Sequence, residues 1–177
     1  NRYNLNKCNV IGNIGRLAEQ KNQKFLINIF AYINKVDINS RLLIVGGGEL
    51  ETDLKNLSKS LGLTDKIIFT GTVNDPQVYY SAMDVFVMPS LYEGLPFTAV
   101  EAQVNGLKCV FSDNITSMVD ISNENTFLSL DMSIEIWGNQ ILELSAERCD
   151  PASNDIVCKE YDLKSEVKRI EKFYLSK

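Results

Sequence analysis

The stretch DVFVMPSLYEGLPFTAVEAQVNGL, residues 84–107, decides how the remainder of the chain is read. It opens on an unbroken apolar run, Val85 to Met88, and stops that run at Pro89 and Ser90. The chain then turns through Glu93, Gly94 and Leu95 and resumes after Pro96 with a helix-forming segment. Unbroken apolar runs mark strands covered on both faces, as in parallel sheets. Pro96 suits the first turn of a helix, where its missing N–H has no helical partner to lose, and Gly106 suits the position just past the end. The segment therefore predicts a strand-to-helix unit with an acidic turn. Its two carboxylates, Glu93 in the turn and Glu101 in the helix, stand eight positions apart. By residue type alone they are either a solvated loop acid and a surface helix acid, or ligands at the rim of a site.

The same alternation extends in both directions. Upstream, CNVIGNI (8–14), RLLIVG (41–46) and KIIFTG (66–71) read as strands, separated by helical patterns over 22–36 and 49–63 and followed by a shorter one over 75–83. Phe25, Leu26, Ile29, Phe30 and Ile33 carry the i, i+3/i+4 spacing in the first helix. Leu50, Leu54, Leu57 and Leu61 form one face of the second, which Gly62 closes. Asp75 is placed to cap the third, with Pro76 at its first position. Downstream, KCVFSD (108–113) and TFLSL (126–130) read as strands, and 133–145 as a helix broken by Gly138. The segment 148–155 is polar and irregular, and 162–175 is a closing helix of mixed charge. The prediction is an α/β protein: a Rossmann-like doubly wound parallel sheet of about six strands flanked by helices, one domain over 1–177. Ligands of such sheets bind beyond the carboxyl ends of the strands. That rule selects four loops, GRLAEQK, GGGE, TGTVND and SLYEGLP.

Composition narrows the chemistry. The 177 residues carry a net charge of −5, with no basic face to hold a nucleic acid backbone. Histidine is absent, which removes the Ser/His and Cys/His nucleophile pairs and most transition-metal sites. Cys8, Cys109, Cys149 and Cys158 are scattered without a C-x-x-C pair and read as reduced thiols of a cytoplasmic protein, the first two in buried strands. No apolar run approaches the roughly 18 residues that cross a bilayer. The first residue is Asn, so the chain is expected to be a piece of a longer protein.

What remains is carboxylates, Lys, Arg, hydroxyls and helix ends. A helix starting at Pro96 presents free N–H groups and its positive dipole end at the strand ends, as phosphate sites do; so does any routine strand-to-helix turn. Arg16 and Lys21 share the first loop. They are either two solvated cations or a pair for a diphosphate, Arg by its fork and Lys as a point charge. GGGE (46–49) and GNIGR (12–16) lack the spacing of dinucleotide and P-loop fingerprints, so close backbone packing is their expected role. Glu101, early in its helix, suits a ribose diol. The separation of Glu93 from Glu101 across a loop–helix junction argues against a shared-proton dyad.

Taken together, GRLxxxKN, LLIVGGGELETDL, IIFTGTVNDP, DVFVMPSLYEGLPFTAVEAQVNGL and FSD resemble the carboxyl-terminal half of retaining glycosyltransferases of the GT4 family, which have the GT-B fold. The resemblance covers roughly residues 8 to 130, and the E-x7-E pattern of Glu93 and Glu101 is its most specific motif. The variant SLYEGLP…EAQ…GL…SD is most similar to enzymes that assemble bacterial capsular polysaccharide or exopolysaccharide.

The resemblance implies one half of a GT-B fold that binds a nucleotide-sugar donor, a UDP-sugar by the family's commonest usage, with no metal or other cofactor. Arg16 and Lys21 would hold the donor diphosphate, cradled by backbone amides of Gly94, Leu95, Phe97 and Thr98. Glu93 would be the catalytic carboxylate at the donor sugar, Glu101 would bind the ribose, and Val73 would lie beside the base. A hexose would pass with retention to a growing polysaccharide or lipid-linked acceptor. An amino-terminal domain outside this chain would hold that acceptor, with a helix over 160–177 packing towards it. The full-length enzyme would be cytoplasmic, either free or peripheral at the inner face of the plasma membrane, and this part alone inactive. Two departures from the family pattern are Met118, where Glu is usual, and Lys108, where Pro is frequent. The alternatives are a UDP-sugar epimerase of the same fold and a non-catalytic nucleotide-binding domain.

Overall fold

The computed structural model of the chain describes Tyr3 and residues 5–146. The expected closing helix, the segment 148–155, Cys149 and Cys158 lie outside the described residues. Six strands form one sheet: β1 (Val10–Ile14), β2 (Arg41–Val45), β3 (Ile67–Phe69), β4 (Val85–Met88), β5 (Lys108–Ser112) and β6 (Thr126–Leu128). Their order is β3-β2-β1-β4-β5-β6, and every pairing is parallel. This is the doubly wound arrangement, in which chain direction across the sheet reverses between β1 and β4.

Each expected strand is present but shorter, because the Gly, Pro and polar residues ending the apolar runs fall in loops. Cys8 precedes β1 and is half-buried, not a strand residue; Cys109 is buried in β5, and neither forms a disulfide among the described residues. The four central strands are buried on both faces, and successive residues alternate between two cores. Leu42 and Ile44 join one core, Leu43 and Val45 the other. The first core is closed by α1 (Gln23–Val36), α2 (Glu51–Ser60) and α5 (Ile134–Ser145), through Leu26, Phe30, Ile33, Leu54, Trp137 and Ile141. The second is closed by α3 (Gln77–Tyr80) and α4 (Phe97–Val104), through Tyr80, Ala99 and Ala102. Both α3 and α4 start one residue after the proline expected to open them. Asp75 accepts from the Gln77 N–H at 3.2 Å, a cap of the expected kind.

Gly138 does not break its helix. α5 is continuous through it because Gly138 is where α5 and α1 touch: a Cβ there would stand 2.4 Å from Tyr32 Cδ1. Tyr32 donates to Asn139 Oδ1 at 2.9 Å, and Trp137 meets Phe25 edge-on at 5.6 Å between centroids. Were Gly138 only a weak helix former, Gly138→Ala would stabilise the fold by about 1 kcal/mol. The close contact reverses the sign. We expect Gly138→Ala to destabilise by about 1–3 kcal/mol in urea titration, and a gain in stability would refute the contact.

Candidate active site

The crevice originates in how little of β1 and β4 is paired. Their ladder covers only Ile11↔Val85 and Gly12↔Phe86. Beyond it, the buried side chain of Asn13 donates to the Val87 carbonyl at 2.8 Å, spanning strands that have begun to part. The loops that follow, 15–22 and 89–96, meet across this gap. Leu91 N–H donates to the Gln20 carbonyl at 2.8 Å, Gln20 Nε2 to the Tyr92 carbonyl at 2.9 Å, and Asn22 Nδ2 to the Pro89 carbonyl at 3.1 Å. Asn22, at φ +53°, adopts the left-handed conformation that Asn tolerates, between the one-turn 3-10 helix Glu19–Lys21 and α1.

Between these loops Lys21 Nζ donates to Glu93 Oε1 at 2.6 Å, and Gln20 Nε2 donates to Glu93 Oε2 at 3.2 Å. Only 18% and 8% of the Lys21 and Glu93 side chains are exposed, so solvent screens this pair little. Lys21, expected at the donor diphosphate, has its charge matched by Glu93. The backbone of Glu93 also bridges to Ile115, in the loop after β5.

Arg16 is paired too, with Glu49 at 3.1 Å, but at 74% and 54% exposure this contact is weak and exchangeable. The Glu49 carboxyl is held below its ordinary range by its own backbone N–H, with the Arg16 charge adding to the effect. The Arg16 carbonyl accepts from buried Gln23 at 3.0 Å. The triple glycine lets the two loops stitch together. Leu17 N–H donates to the Gly47 carbonyl at 3.0 Å and Leu50 N–H to the Leu17 carbonyl at 3.1 Å. A Cβ on Gly46, whose φ is +132°, would overlap the Gly15 carbonyl oxygen at 2.1 Å, and one on Gly48 the Leu17 carbonyl oxygen at 2.3 Å. Close packing is therefore the role of GGGE.

A cavity of about 290 Å³ opens here, bringing Arg16 together with Val73, Gly46, Gly47 and Thr72. A larger one, about 590 Å³, lies at the opposite end of the strands around Leu5, Cys8 and Tyr79. Size favours that one, but the carboxyl ends carry the turns and helix starts that bind ligands in open α/β sheets.

The GLP turn enters α4 with Pro96 extended at ψ 110°. Among the described residues, the N–H groups of Leu95, Phe97 and Thr98 have no hydrogen-bond partner. Gly94 does not adopt a left-handed conformation; a Cβ there would meet nothing within 4 Å, so it borders open space. Glu101 is half-buried and sits apart from the Lys21–Glu93 pair, with no hydrogen bond between the two carboxylates. Its Oε2 accepts from the phenol of Tyr80 at 2.8 Å. Burial first, then the neighbouring Glu101, pushes the Tyr80 phenol far above its ordinary pKa, so it stays a donor.

Sequence reasoning missed Asn13, Gln20, Gln23 and Tyr80. A lone Asn inside the apolar CNVIGNI run was a usable signal; nothing in sequence separates Tyr80 from Tyr79. Gln103 was also missed. Buried in α4, it donates to the Val119 carbonyl at 2.7 Å and accepts from the Ile121 N–H at 3.0 Å and Asn125 Nδ2 at 2.7 Å. It thereby holds the loop that reaches back to Glu93. Of the two departures, Lys108 pairs with Glu124, and Met118 is 75% exposed. No cluster of three or more His, Cys, Asp or Glu able to hold a metal occurs among the described residues. Nor is any described helix long and apolar enough to cross a membrane.

The six-stranded parallel sheet flanked by helices is a Rossmann-like α/β domain of the kind found in the GT-B fold. Residues 2–156 match the family described as Glycosyl transferases group 1, and the chain belongs to that family. EpsF of Bacillus subtilis (strain 168), assigned to the glycosyltransferases, is 38% identical over 138 residues, 77% of this chain and 36% of that protein. The Escherichia coli UDP-Gal:alpha-D-GlcNAc-diphosphoundecaprenol alpha-1,3-galactosyltransferase is 31% identical over 148 residues, 77% of this chain and 38% of that protein. The capsular polysaccharide biosynthesis glycosyltransferase CapH of Staphylococcus aureus is 26% identical over 170 residues, 93% of this chain and 47% of that protein. The chain thus spans less than half the length of these relatives. Anabaena Alr3699/HepE, solved in complex with UDP-glucose, shares the fold: its TM-score is 0.82 at 22% identity, over 99% of this chain and 51% of that one.

The Lys21–Glu93 pair carries an expected outcome for stability. Lys21→Met strands a buried carboxylate and should lower unfolding free energy by about 3 kcal/mol, whereas Lys21→Met/Glu93→Leu should regain most of it. Urea titration of the two variants checks this; an unchanged Lys21→Met midpoint would mean the pair is solvated.

Proposed function

We propose that the chain is the donor-binding part of a retaining glycosyltransferase that moves a hexose from a UDP-sugar to a growing polysaccharide or lipid-linked acceptor. The observation that carries this reading is the Lys21–Glu93 pair joining the two loops at the β1/β4 reversal, beside the open N–H groups that start α4. The names of the relatives support the acceptor class: one is a galactosyltransferase using UDP-Gal and a diphosphoundecaprenol-linked sugar, another belongs to capsular polysaccharide biosynthesis. The HepE complex with UDP-glucose supports the donor class.

Cleavage at the anomeric carbon leaves negative charge on the departing diphosphate. Arg16, released from its exposed contact with Glu49, and Lys21, with N–H donors beyond the one given to Glu93, would neutralise it. The N–H groups of Leu95, Phe97 and Thr98, with that of Gly94, would hold phosphate oxygens. These fixed donors supply the charge stabilisation without a metal ion. Glu93, oriented by Lys21 and Gln20, would accept from the donor sugar's hydroxyls and stabilise the positive charge developing on its ring. Keeping Lys21 matched by Glu93 before binding also keeps an uncompensated cation out of a poorly solvated place. Glu101 would bind the ribose and Val73 would flank the base. The acceptor hydroxyl would attack on the face the diphosphate leaves and pass its proton to the departing phosphate oxygen, which accounts for retention. The acceptor would be held by a further domain, and the working enzyme would be cytoplasmic and peripheral at the membrane.

Calorimetric titration with UDP tests the reading directly. Arg16→Ala should weaken binding roughly tenfold to a hundredfold through loss of a charge-assisted contact. Its thermal midpoint should stay within about 2 °C, since exposed pairs contribute little. A folded chain that binds neither UDP nor UDP-sugars would overturn the proposal. Given acceptor and donor, the 177 residues alone should show no turnover, and measurable transfer would overturn the assignment of the acceptor site to another domain.

A further inference from the structure

Tyr80 ends α3 with no exposed surface, packed among Met83, Phe86 and Ala99 in the second core. Its phenol oxygen lies 2.8 Å from Glu101 Oε2 and 3.0 Å from the Thr98 carbonyl oxygen, both on α4. One hydroxyl hydrogen serves both acceptors, and the charged one draws the stronger bond. Glu101 Oε1, in contrast, has no hydrogen bond among the described residues, and the side chain is half-buried. A carboxylate on an open helix surface samples several rotamers, and a ligand must then bear the entropy of selecting one. Here the selection is made beforehand by a buried donor that is itself fixed by packing against Phe86, at 6.1 Å between centroids. Burial and the Glu101 charge keep the phenol protonated over the working pH range, so the donor is permanent.

We propose that Tyr80 is a positioning residue for ribose recognition: it fixes one oxygen of Glu101 so that the carboxylate is held ready for the 2′ and 3′ hydroxyls of the nucleotide. This rests on the assignment of Glu101 to the ribose, and it assigns Tyr80 no contact with the nucleotide itself. The consequence is specific. Loss of the phenol weakens the preference for a ribose diol and leaves the diphosphate contacts alone.

The experiment is titration of the chain with UDP and with 2′,3′-dideoxy-UDP, read as the ratio of the two affinities in each variant. Being a ratio within one protein sample, it is insensitive to a reduced folded fraction. The wild type should prefer UDP, and Tyr80→Phe should reduce that preference roughly two- to tenfold, the range of one hydrogen bond. In a Glu101→Ala background the same substitution should leave the ratio unchanged, because Tyr80 acts only through Glu101. A wild-type ratio near one would overturn the ribose assignment itself. A clear wild-type preference that Tyr80→Phe leaves intact, or that it lowers equally without Glu101, would overturn the positioning role alone. A further readout needs no substitution. The protected Tyr80 hydroxyl proton in the nuclear magnetic resonance spectrum should shift with UDP and not with the dideoxy analogue, and equal shifts would count against the proposal.

Discussion

The parting of β1 and β4 after two paired residues is the constraint on which the rest of the molecule depends. Helices α1 and α2 follow their strands onto one face of the sheet, and α3 and α4 cover the other. At the point of reversal no crossover connection among the described residues fills the space above the strand ends. That leaves a gap whose walls are the loop after β1 and the loop after β4. An open gap would expose backbone carbonyls and N–H groups, and the chain closes its base with side-chain amides instead. Asn13 spans to Val87, Gln20 to Tyr92 and Asn22 to Pro89. Amides suit this task because each offers both donors and an acceptor without bringing a charge to a poorly solvated place.

On that neutral floor stands one charged pair, Lys21 and Glu93, and its burial decides its character. The exposed Arg16–Glu49 contact is weakly held, whereas separating Lys21 from Glu93 would leave two poorly solvated charges. The two cations of the first loop therefore differ in kind. Arg16 is free to change partners, and Lys21 is part of the framework that aims Glu93. Support extends outward through Ile115, which bridges to the Glu93 backbone, and through the buried amide of Gln103, which ties that same loop to α4.

Much of this is legible in the amino-acid sequence. The strand runs, the placement of Glu93 and Glu101 beyond a strand end and the close-packing role of GGGE follow from apolar periodicity and from what Gly and Pro permit. Element ends were less legible: prolines 76 and 96 precede their helices where they were expected to be inside them. Gly138 was misread because propensity is local, whereas its cause is the Tyr32 ring of a helix about a hundred residues away in sequence. Tyr80 and Gln103 were invisible for a related reason. Each resembles an ordinary helix residue until the fold puts Glu101 or the loop after β5 against it.

By itself the sequence determined the alternation of strand and helix and the residue types at each strand end, because hydrophobic period and backbone stereochemistry are properties of neighbouring residues. Only the tertiary structure decided how the charges were spent. Residues 72 positions apart became one buried ion pair, and residues 21 apart became a carboxylate with its donor. Coulombic and hydrogen-bond energies depend on distance and on exclusion of water, and both come into being when the loops meet over the parted strands.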